Sequence, residues 1–338
     1  MKKAIPNTFK LPVYAYDVIS VCSIEQLLDC YRQAKIKNLP ILILGEGSNT
    51  LFTEDFDGIV IINRIKAITV TEDSDYWFIH VGAGEIWHQL VSYLIDSNIP
   101  GLENLALIPG CVGSAPIQNI GAYGVEFEKF AHFVELVELA TGNVIRVKDG
   151  KYGYRESIFK SQYLEGYVVV GVGLKLIKQW QPILEYGELK NFDPNTVTAR
   201  VIFDKVCEVR RSKLPDPNIL GNAGSFFKNP VIDKVQYDAL IEYYPNMPAY
   251  PQANGQVKLA AGWLIDQCGL KGYQIGGAAV HDKQALVLVN KGNAIAQDVV
   301  DLSRVVINTV QQKFNIHLSP EIRFMNKQGE INPNLLLP

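Results

Sequence analysis

Leu27, Leu28, Tyr31 and Ala34 recur at the spacing of one helix face and predict a helix over 23–37. Ser23 followed by Gln26 fits the capping box that opens such a helix. The period then shortens. Residues 39–44 read as a short buried strand, and strand patterns follow at 59–62, 67–71 and 76–81. Ile86, Leu90 and Leu94 return to the helical period and predict a helix over 85–97. From 133 to 147 and from 167 to 177 the pattern is β again. Helix–strand alternation followed by mixed β is the pattern of an α/β nucleotide domain.

The second half changes character. Residues 205–212 predict a helix, which Lys213-Leu214-Pro215-Asp216-Pro217 ends. Two prolines in three residues mark a natural boundary. Beyond it come a predicted helix near 256–268, stopped by Gly269, a strand at 285–290 and a long amphipathic helix at 297–314. Val299, Leu302, Val306, Val310 and Phe314 form the core face of that last helix. Residues 320–325 close the chain with a strand pattern, in which a period of two puts Glu321 and Arg323 on one face. There an arginine can hold the carboxylate ionised, although from spacing alone a plain salt bridge is the better reading.

Composition narrows the class. At roughly 100–200 residues per domain, 338 residues make two or three units. A hydrophobic content of 48% with 20% charged residues fits a soluble globular protein. A formal net charge of −3 offers no surface for nucleic acid or an anionic membrane. The five cysteines are an odd number, far apart and without a C-x-x-C pair. No disulfide framework and no metal site is therefore expected, and a reducing cytoplasm is. Met1-Lys2-Lys3 could open a signal sequence, but Pro6, Asn7, Lys10 and Pro12 break any apolar stretch after it.

Three stretches carry candidate chemistry. Gly45-Glu46-Gly47-Ser48-Asn49 follows a strand and offers backbone N–H groups and small polar side chains, which suit a pyrophosphate. It lacks G-x-G-x-x-G, so the dinucleotide fingerprint is absent there. Residues 109–124 hold four glycines and two prolines among small residues, which suggests close backbone approach to a large flat ligand. In Gly221-Asn222-Ala223-Gly224-Ser225-Phe226-Phe227-Lys228-Asn229-Pro230 one hydroxyl sits on a glycine-rich turn, with an apolar wall behind it. The plain alternative is a glycine turn entering a buried strand, with Ser225 satisfying a local backbone group. Tyr152-Gly153-Tyr154-Arg155-Glu156-Ser157 crowds aromatics around an arginine that could hold a carboxylate with two hydrogen bonds. As an isolated feature it reads better as a surface Arg155 paired with Glu156 or another acid.

Taken together and in this order, these motifs resemble the UDP-N-acetylenolpyruvoylglucosamine reductase (MurB) family. Residues 154–160, Lys258-Leu259-Ala260-Ala261-Gly262-Trp263-Leu264-Ile265-Asp266 and Gly276-Gly277-Ala278-Ala279-Val280-His281 complete the set, and the resemblance covers nearly the whole chain. It implies an α+β fold: a two-lobed FAD-binding domain of the vanillyl-alcohol-oxidase (PCMH) type plus a C-terminal α/β substrate domain. The expected limits are 1–65 and 66–215 for the lobes and 216–338 for the substrate domain. Non-covalent FAD would rest on Gly45, Gly47, Ser48 and Asn49, and on Gly110, Gly113, Ser114, Ile117, Asn119, Gly121 and Ala122. Ala115 replaces a hydroxyl often found beside Ser114, which removes one polar contact. Lys10-Leu11-Pro12 departs from the glycine-containing run usual after Thr-Phe.

The implied chemistry has two steps. NADPH, the co-substrate, gives hydride to FAD. After NADP leaves, the reduced flavin gives hydride to the enolpyruvyl β-carbon of UDP-N-acetylglucosamine enolpyruvate, which yields UDP-N-acetylmuramate for peptidoglycan. Charge then appears on the α-carbon and its carboxylate. By resemblance the catalytic residues are Arg155, Ser225 and Glu321. Arg155 can neutralise that charge. An anionic Glu321 would oppose it, so Glu321 is expected to act protonated or through a shared proton. Ser225 matches the donor of a proton to the α-carbon. Serine is a weak acid, so a basic enolate and a cation, Lys213 or Lys228, are needed to help it. Tyr154, Tyr186, Lys213, Asn229, Tyr250 and Lys258 match substrate contacts. Tyr186 and Tyr250, the latter on an expected Pro-flanked loop, mark the subtype with an extra tyrosine-bearing loop. Expected partners are the two substrates alone, with no nucleic acid, no membrane and a monomeric state. Two alternatives stay open at this point: another oxidase or dehydrogenase of the same flavin fold, and a nucleotide-binding regulator without turnover.

Overall fold

The computed structural model describes residues 2–337. Met1 of the basic start lies outside the described residues. The chain forms two compact units. One comprises residues 1–3, 15–46 and 57–212, the other 4–14, 47–56 and 213–338.

In the first unit the helix Ile24–Ile36 starts where the sequence predicts. Ser23 accepts from the Gln26 N–H, and Gln26 Oε1 takes the N–H of Cys22. Its buried residues Leu27, Cys30 and Ala34 join Ile59, Ile61, Val137 and Val168 in one apolar cluster. Ile41–Leu44 pairs in parallel with Phe56–Asn63. A five-stranded antiparallel sheet follows, in the order Val144–Val147, Ala131–Glu138, Tyr167–Ile177, Tyr76–Gly82 and Ile68–Glu72. The helices Trp87–Asp96 and Ala199–Lys213 bury Leu90, Val91, Leu94, Ile202, Phe203 and Val206 with Ile79, Val81, Val172 and Leu174. Burial of each such side chain contributes about 1.5–3 kcal/mol. The helix predicted over 205–212 begins six residues earlier, at Ala199, and its buried Ile202, Phe203 and Val206 extend the apolar face by more than a turn toward the N-terminus.

The second unit carries three small sheets. Gly221–Ser225, Val287–Asn290, Ala278–Val280 and Gln274–Ile275 form an antiparallel set. Val231–Ile232, Val257–Leu259 and Ala249–Pro251 form a second. Arg323–Asn326 pairs with Gly329–Ile331 and, in parallel, with Thr50–Phe52. The long helix Ala296–Phe314 buries the predicted face and ends on Asn315, in the left-handed region at φ 54°.

Four expectations need correction here. The helix predicted near 256–268 is a strand, Val257–Leu259, followed by a helix, Ala261–Gln267. Val257 and Leu259 are buried with Lys258 between them, which is a strand period. Tyr250 lies on the strand Ala249–Pro251 rather than on a loop. Ser225 ends a strand rather than sitting on a free turn. Glu321 precedes the closing strand, which begins at Arg323 rather than at residue 320. Arg323 pairs with Glu330, at 3.0 and 2.5 Å.

Candidate functional site

The loop after Ile41–Leu44 is built for close packing. A Cβ on Gly45 would stand 3.0 Å from Cys111 Sγ, so only glycine fits there without displacement. Arg64 donates to the Gly45 carbonyl at 3.2 Å and pairs with Glu46 at 2.9 Å. Cys111 is buried, and that burial pushes its thiol up to about 11, with Glu46 acting in the same direction. In the second unit the Gly47 carbonyl accepts from the Thr8 N–H at 3.2 Å. Ser48 and Asn49 form a turn that leads into Thr50–Phe52, and the Asn49 carbonyl accepts from the Arg323 N–H at 3.0 Å.

The second glycine-rich stretch belongs to the first unit. The Gly110 carbonyl accepts from the Trp87 N–H, and the Gly113 N–H donates to Ala83 at 2.9 Å. Ser114 Oγ donates to the Cys111 carbonyl at 2.6 Å. The Ile117 carbonyl accepts from Ser157 Oγ at 2.6 Å. Gly121 and Ala122 form a short strand paired with Val125–Glu126. Asn119 is fully buried, and its side chain serves the protein itself. It donates to Glu126 Oε2 at 2.8 Å and to the Gly153 carbonyl at 3.1 Å, and accepts from the Glu128 N–H at 2.9 Å.

Gly153 and Glu156 exchange two backbone hydrogen bonds, at 3.0 and 3.1 Å, and close a tight turn around Tyr154 and Arg155. Arg155 occupies the left-handed region at φ 58°, where this kind of turn normally carries glycine. A non-glycine residue costs about 1–2 kcal/mol there. Strain of this kind persists where the surroundings impose it, often at a functional site. The guanidinium donates to the carbonyls of Gly121 at 3.2 Å and Asn119 at 3.5 Å. It also lies 5.5 Å from the Tyr154 ring centre. Thus two predicted cofactor residues and the predicted catalytic arginine come together within one unit. Tyr186 is exposed and meets Tyr123 edge-on at 5.9 Å in the same unit.

The Ser225 stretch lies in the second unit. Gly221–Ser225 runs against Val287–Asn290 with an irregular register between Asn222 and Ser225. Gly221 packs so closely that an added Cβ would lie 2.4 Å from the Phe9 carbonyl oxygen. Asn222 is buried. It donates to Leu220 at 2.8 Å and Pro215 at 3.2 Å, and accepts from the Gly224 N–H at 2.9 Å, which fixes the irregularity. Phe226 and Phe227 are core residues. Phe226 packs against Phe9, Phe227 and Phe324 at 6.5, 4.9 and 6.1 Å. The Glu321 N–H donates to the Phe226 carbonyl at 2.8 Å, so Ser225 and Glu321 flank one anchored peptide.

Three predicted substrate residues gather around the second small sheet of this unit. Tyr250 and Lys258 stand directly opposite one another on adjacent strands, so their side chains share a face. Asn229 Oδ1 accepts from the Ala261 N–H at 2.9 Å and caps the helix Ala261–Gln267, whose own cap position is Ala260. Lys213, the last residue of the helix Ala199–Lys213, is exposed.

Sequence reasoning did not single out Tyr123, which packs on Tyr186, or Arg210, which is half-buried on the helix Ala199–Lys213. Tyr123 has φ 49°, and the Asn104 side chain donates to its carbonyl at 3.1 Å. Arg210 continues the apolar stripe of Phe203, Val206 and Cys207 at helical spacing, and its Nε is buried. A charged residue on a core stripe is the signal that could have found it.

Residues 216–325 match the family described as UDP-N-acetylenolpyruvoylglucosamine reductase, C-terminal domain, and residues 17–148 match the FAD binding domain family. The UDP-N-acetylenolpyruvoylglucosamine reductase of Yersinia pestis is 57% identical over 328 residues, which are 96% of this chain and 95% of that one. The relative of the same description from Escherichia coli K12 is 55% identical over 96% of each chain. A solved structure of MurB from Thermus caldophilus, 24% identical, covers 96% of this chain and 98% of its own with a TM-score of 0.63, and so shares the fold. The fold is α+β, an FAD-binding domain with a reductase C-terminal domain. Identity above one half across nearly the full length of both chains settles the relationship, and the chain belongs to the UDP-N-acetylenolpyruvoylglucosamine reductase family.

Proposed function

We propose that this chain reduces UDP-N-acetylglucosamine enolpyruvate to UDP-N-acetylmuramate, an FAD-dependent, NADPH-using step in peptidoglycan precursor synthesis. The observation that carries the activity is 55–57% identity to curated reductases over 96% of the chain. The donor set of the two glycine-rich stretches fits the cofactor. It combines backbone N–H groups, Ser48, Asn49 and Ser114 with two nearby carboxylates, Glu46, which pairs with Arg64, and Glu126, which accepts from Asn119. Gly45, Gly47, Ser48 and Asn49 would hold FAD together with Gly110, Gly113, Ser114, Ile117, Gly121 and Ala122. Asn119 would act from beneath, by holding the Arg155 turn. When bound, FAD carries hydride from NADPH to the enolpyruvyl β-carbon.

The protein's own groups handle the charge and the proton. Arg155 faces the carboxylate as negative charge grows at the α-carbon. Ser225 Oγ gives its proton to that carbon, and the C–H bond forms as the O–H bond breaks. Lys213 or Lys228 stabilises the resulting alkoxide. Glu321 shares a proton at the reacting end. Tyr154, Tyr186, Lys213, Asn229, Tyr250 and Lys258 bind the rest of the substrate. Among the described residues no helix is long and apolar enough to cross a membrane. The enzyme works as a monomer in the cytoplasm, without a nucleic-acid or membrane partner. An anaerobic titration tests the activity. NADPH should bleach the purified yellow protein, and the enolpyruvyl substrate should restore its colour. A protein that takes up no FAD, or whose reduced flavin the substrate leaves unchanged, would refute the reading.

A further inference from the structure

Glu103 is an acid in the core of the first unit. It stands on a short turn, Glu103–Leu105, whose three residues are all buried. A carboxylate taken out of water needs hydrogen bonds on its oxygens. Glu103 finds one on each, at 2.6 Å: Oε2 accepts from the Gly101 N–H and Oε1 from the Trp180 indole N–H. Asn104 beside it is equally buried, and its amide donates twice, to the Tyr123 carbonyl at 3.1 Å and to the Ile183 carbonyl at 3.0 Å. Trp180 and Ile183 both lie on the stretch 178–186, which leads from the strand Tyr167–Ile177 to Tyr186 and forms neither helix nor strand. Such a stretch has no repeating backbone hydrogen bonds, so its course depends on its anchors. Apolar contacts anchor it in part, because Trp180, Ile183 and Leu184 pack on the core. An apolar side chain at 103 would serve that purpose without the cost of burying an acid. What the Glu103–Asn104 pair adds is direction, through hydrogen bonds at fixed points.

We propose that Glu103 and Asn104 are positioning residues for Tyr186, which they hold against Tyr123 by fixing the stretch 178–186 at Trp180 and Ile183. The inference rests on the substrate role given to Tyr186 above. Ile183 stands three residues before Tyr186, so the anchor leaves the tyrosine a reach of at most about 10 Å. The same Asn104 amide holds the Tyr123 carbonyl, and the Tyr123 and Tyr186 rings meet edge-on at 5.9 Å. One side chain thus ties both tyrosine-bearing segments to a common point. Tyr123 directly follows Gly121 and Ala122, so that point also refers Tyr186 to the stretch proposed to hold FAD. A neutral amide suits the place, because an aspartate at 104 would turn a carboxylate toward two carbonyl oxygens.

A double-mutant cycle on the FAD-loaded enzyme tests this. The affinity for UDP-N-acetylmuramate is read from the change in flavin absorbance. Asn104→Ala cuts both tethered segments, whereas Trp180→Phe removes only the indole N–H that Glu103 holds. Asn104→Ala should weaken UDP-N-acetylmuramate about 5- to 50-fold and Trp180→Phe by a smaller factor, the span of one hydrogen bond lost at a buried site. Bleaching at saturating NADPH should stay within about twofold, because that step does not use the substrate contact. In a Tyr186→Ala background either change should alter affinity by no more than about twofold, since the side chain they position is gone. Trp180→Phe carries the test alone if Asn104→Ala does not fold. Wild-type affinity in both variants, a loss confined to Asn104→Ala, a loss that persists in the Tyr186→Ala background, or a parallel loss in bleaching would each overturn the proposal. Tyr186→Ala alone distinguishes the parent reading. If it keeps wild-type affinity, the substrate role of Tyr186 fails and the proposal falls with it. If it loses affinity while the other two variants keep theirs, that role stands and only the tether is overturned.

Discussion

The Glu321 N–H is hydrogen-bonded to the Phe226 carbonyl at 2.8 Å. That one bond fixes the chain beside Ser225 to the chain that carries the candidate glutamate. The Phe226 N–H donates in turn to Leu286 at 2.8 Å, and Phe227 bridges to Pro320. Ser225 thus stands at the end of a peptide anchored through its backbone, with the Phe226 and Phe227 rings buried beneath.

Phe226→Ala should therefore cost stability and placement together. A buried Phe→Ala change costs about 3–5 kcal/mol. Denaturant melts should show that loss, and substrate turnover should fall more than NADPH-driven bleaching of the flavin. An unchanged melting midpoint would contradict the packing role assigned to this ring.

Asn119→Ala tests the support beneath Arg155. The substitution takes a partner from Glu126 Oε2, the Gly153 carbonyl and the Glu128 N–H, and the cost is about 1–3 kcal/mol for each buried group left dry. Thermal melting should drop by several degrees, and KM for the enolpyruvyl substrate should rise as the Arg155 turn loosens. Wild-type melting and KM would show that the turn stands without it.

Much of this fold is legible in the sequence where one face is apolar. The helix Ala296–Phe314 has its core stripe in the sequence at the right period, and Ser23 marks the start of Ile24–Ile36. The helix Lys234–Tyr243 is not legible by pattern, because none of its residues is buried; only the Asp233 cap betrays it. Residues 256–268 mislead because Val257, Leu259, Ala261 and Leu264 merge a strand period into a helical one. The site follows the same logic. Ser225 is visible because glycine and asparagine surround it, whereas the use of Asn222 and Asn229 as internal braces depends on partners far along the chain or across a turn. Arg210 hides because a helix pattern records apolar positions and passes over the one charged residue among them.

Cys111 should be slow toward thiol reagents despite its place within the second glycine-rich stretch. With its pKa pushed up to about 11 by burial, the reactive thiolate at pH 8 is on the order of a thousandth of the total. Cys30 and Cys207 are also buried, while Cys22 is exposed. Native protein at pH 8 should thus show Cys22 labelled first and Cys111 labelled only on unfolding. Rapid labelling of Cys111 in the folded protein would contradict its described surroundings.

Tyr250→Phe should weaken substrate binding far more than it slows flavin reduction by NADPH. Tyr250 faces Lys258 across a strand pair, and both belong to the proposed substrate contacts. Loss of one hydrogen bond to a charged group costs about 1.5–3 kcal/mol, so KM for the enolpyruvyl substrate should rise roughly ten- to a hundredfold. An unchanged KM would remove Tyr250 from the site.

The central claim is that Ser225 supplies the proton, and stopped-flow absorbance of Ser225→Ala tests it most directly. Hydride delivery to the flavin does not use that proton, so NADPH should bleach the variant at nearly the wild-type rate. Reoxidation by the enolpyruvyl substrate should slow by about 10²–10⁴-fold, the usual span for losing a positioned acid. Ser225→Cys should recover part of the rate, because a thiol fills a similar place with a more acidic proton. Equal slowing of both half-reactions, with weaker flavin binding, would make Ser225 a support of the strand end and would contradict its role as donor.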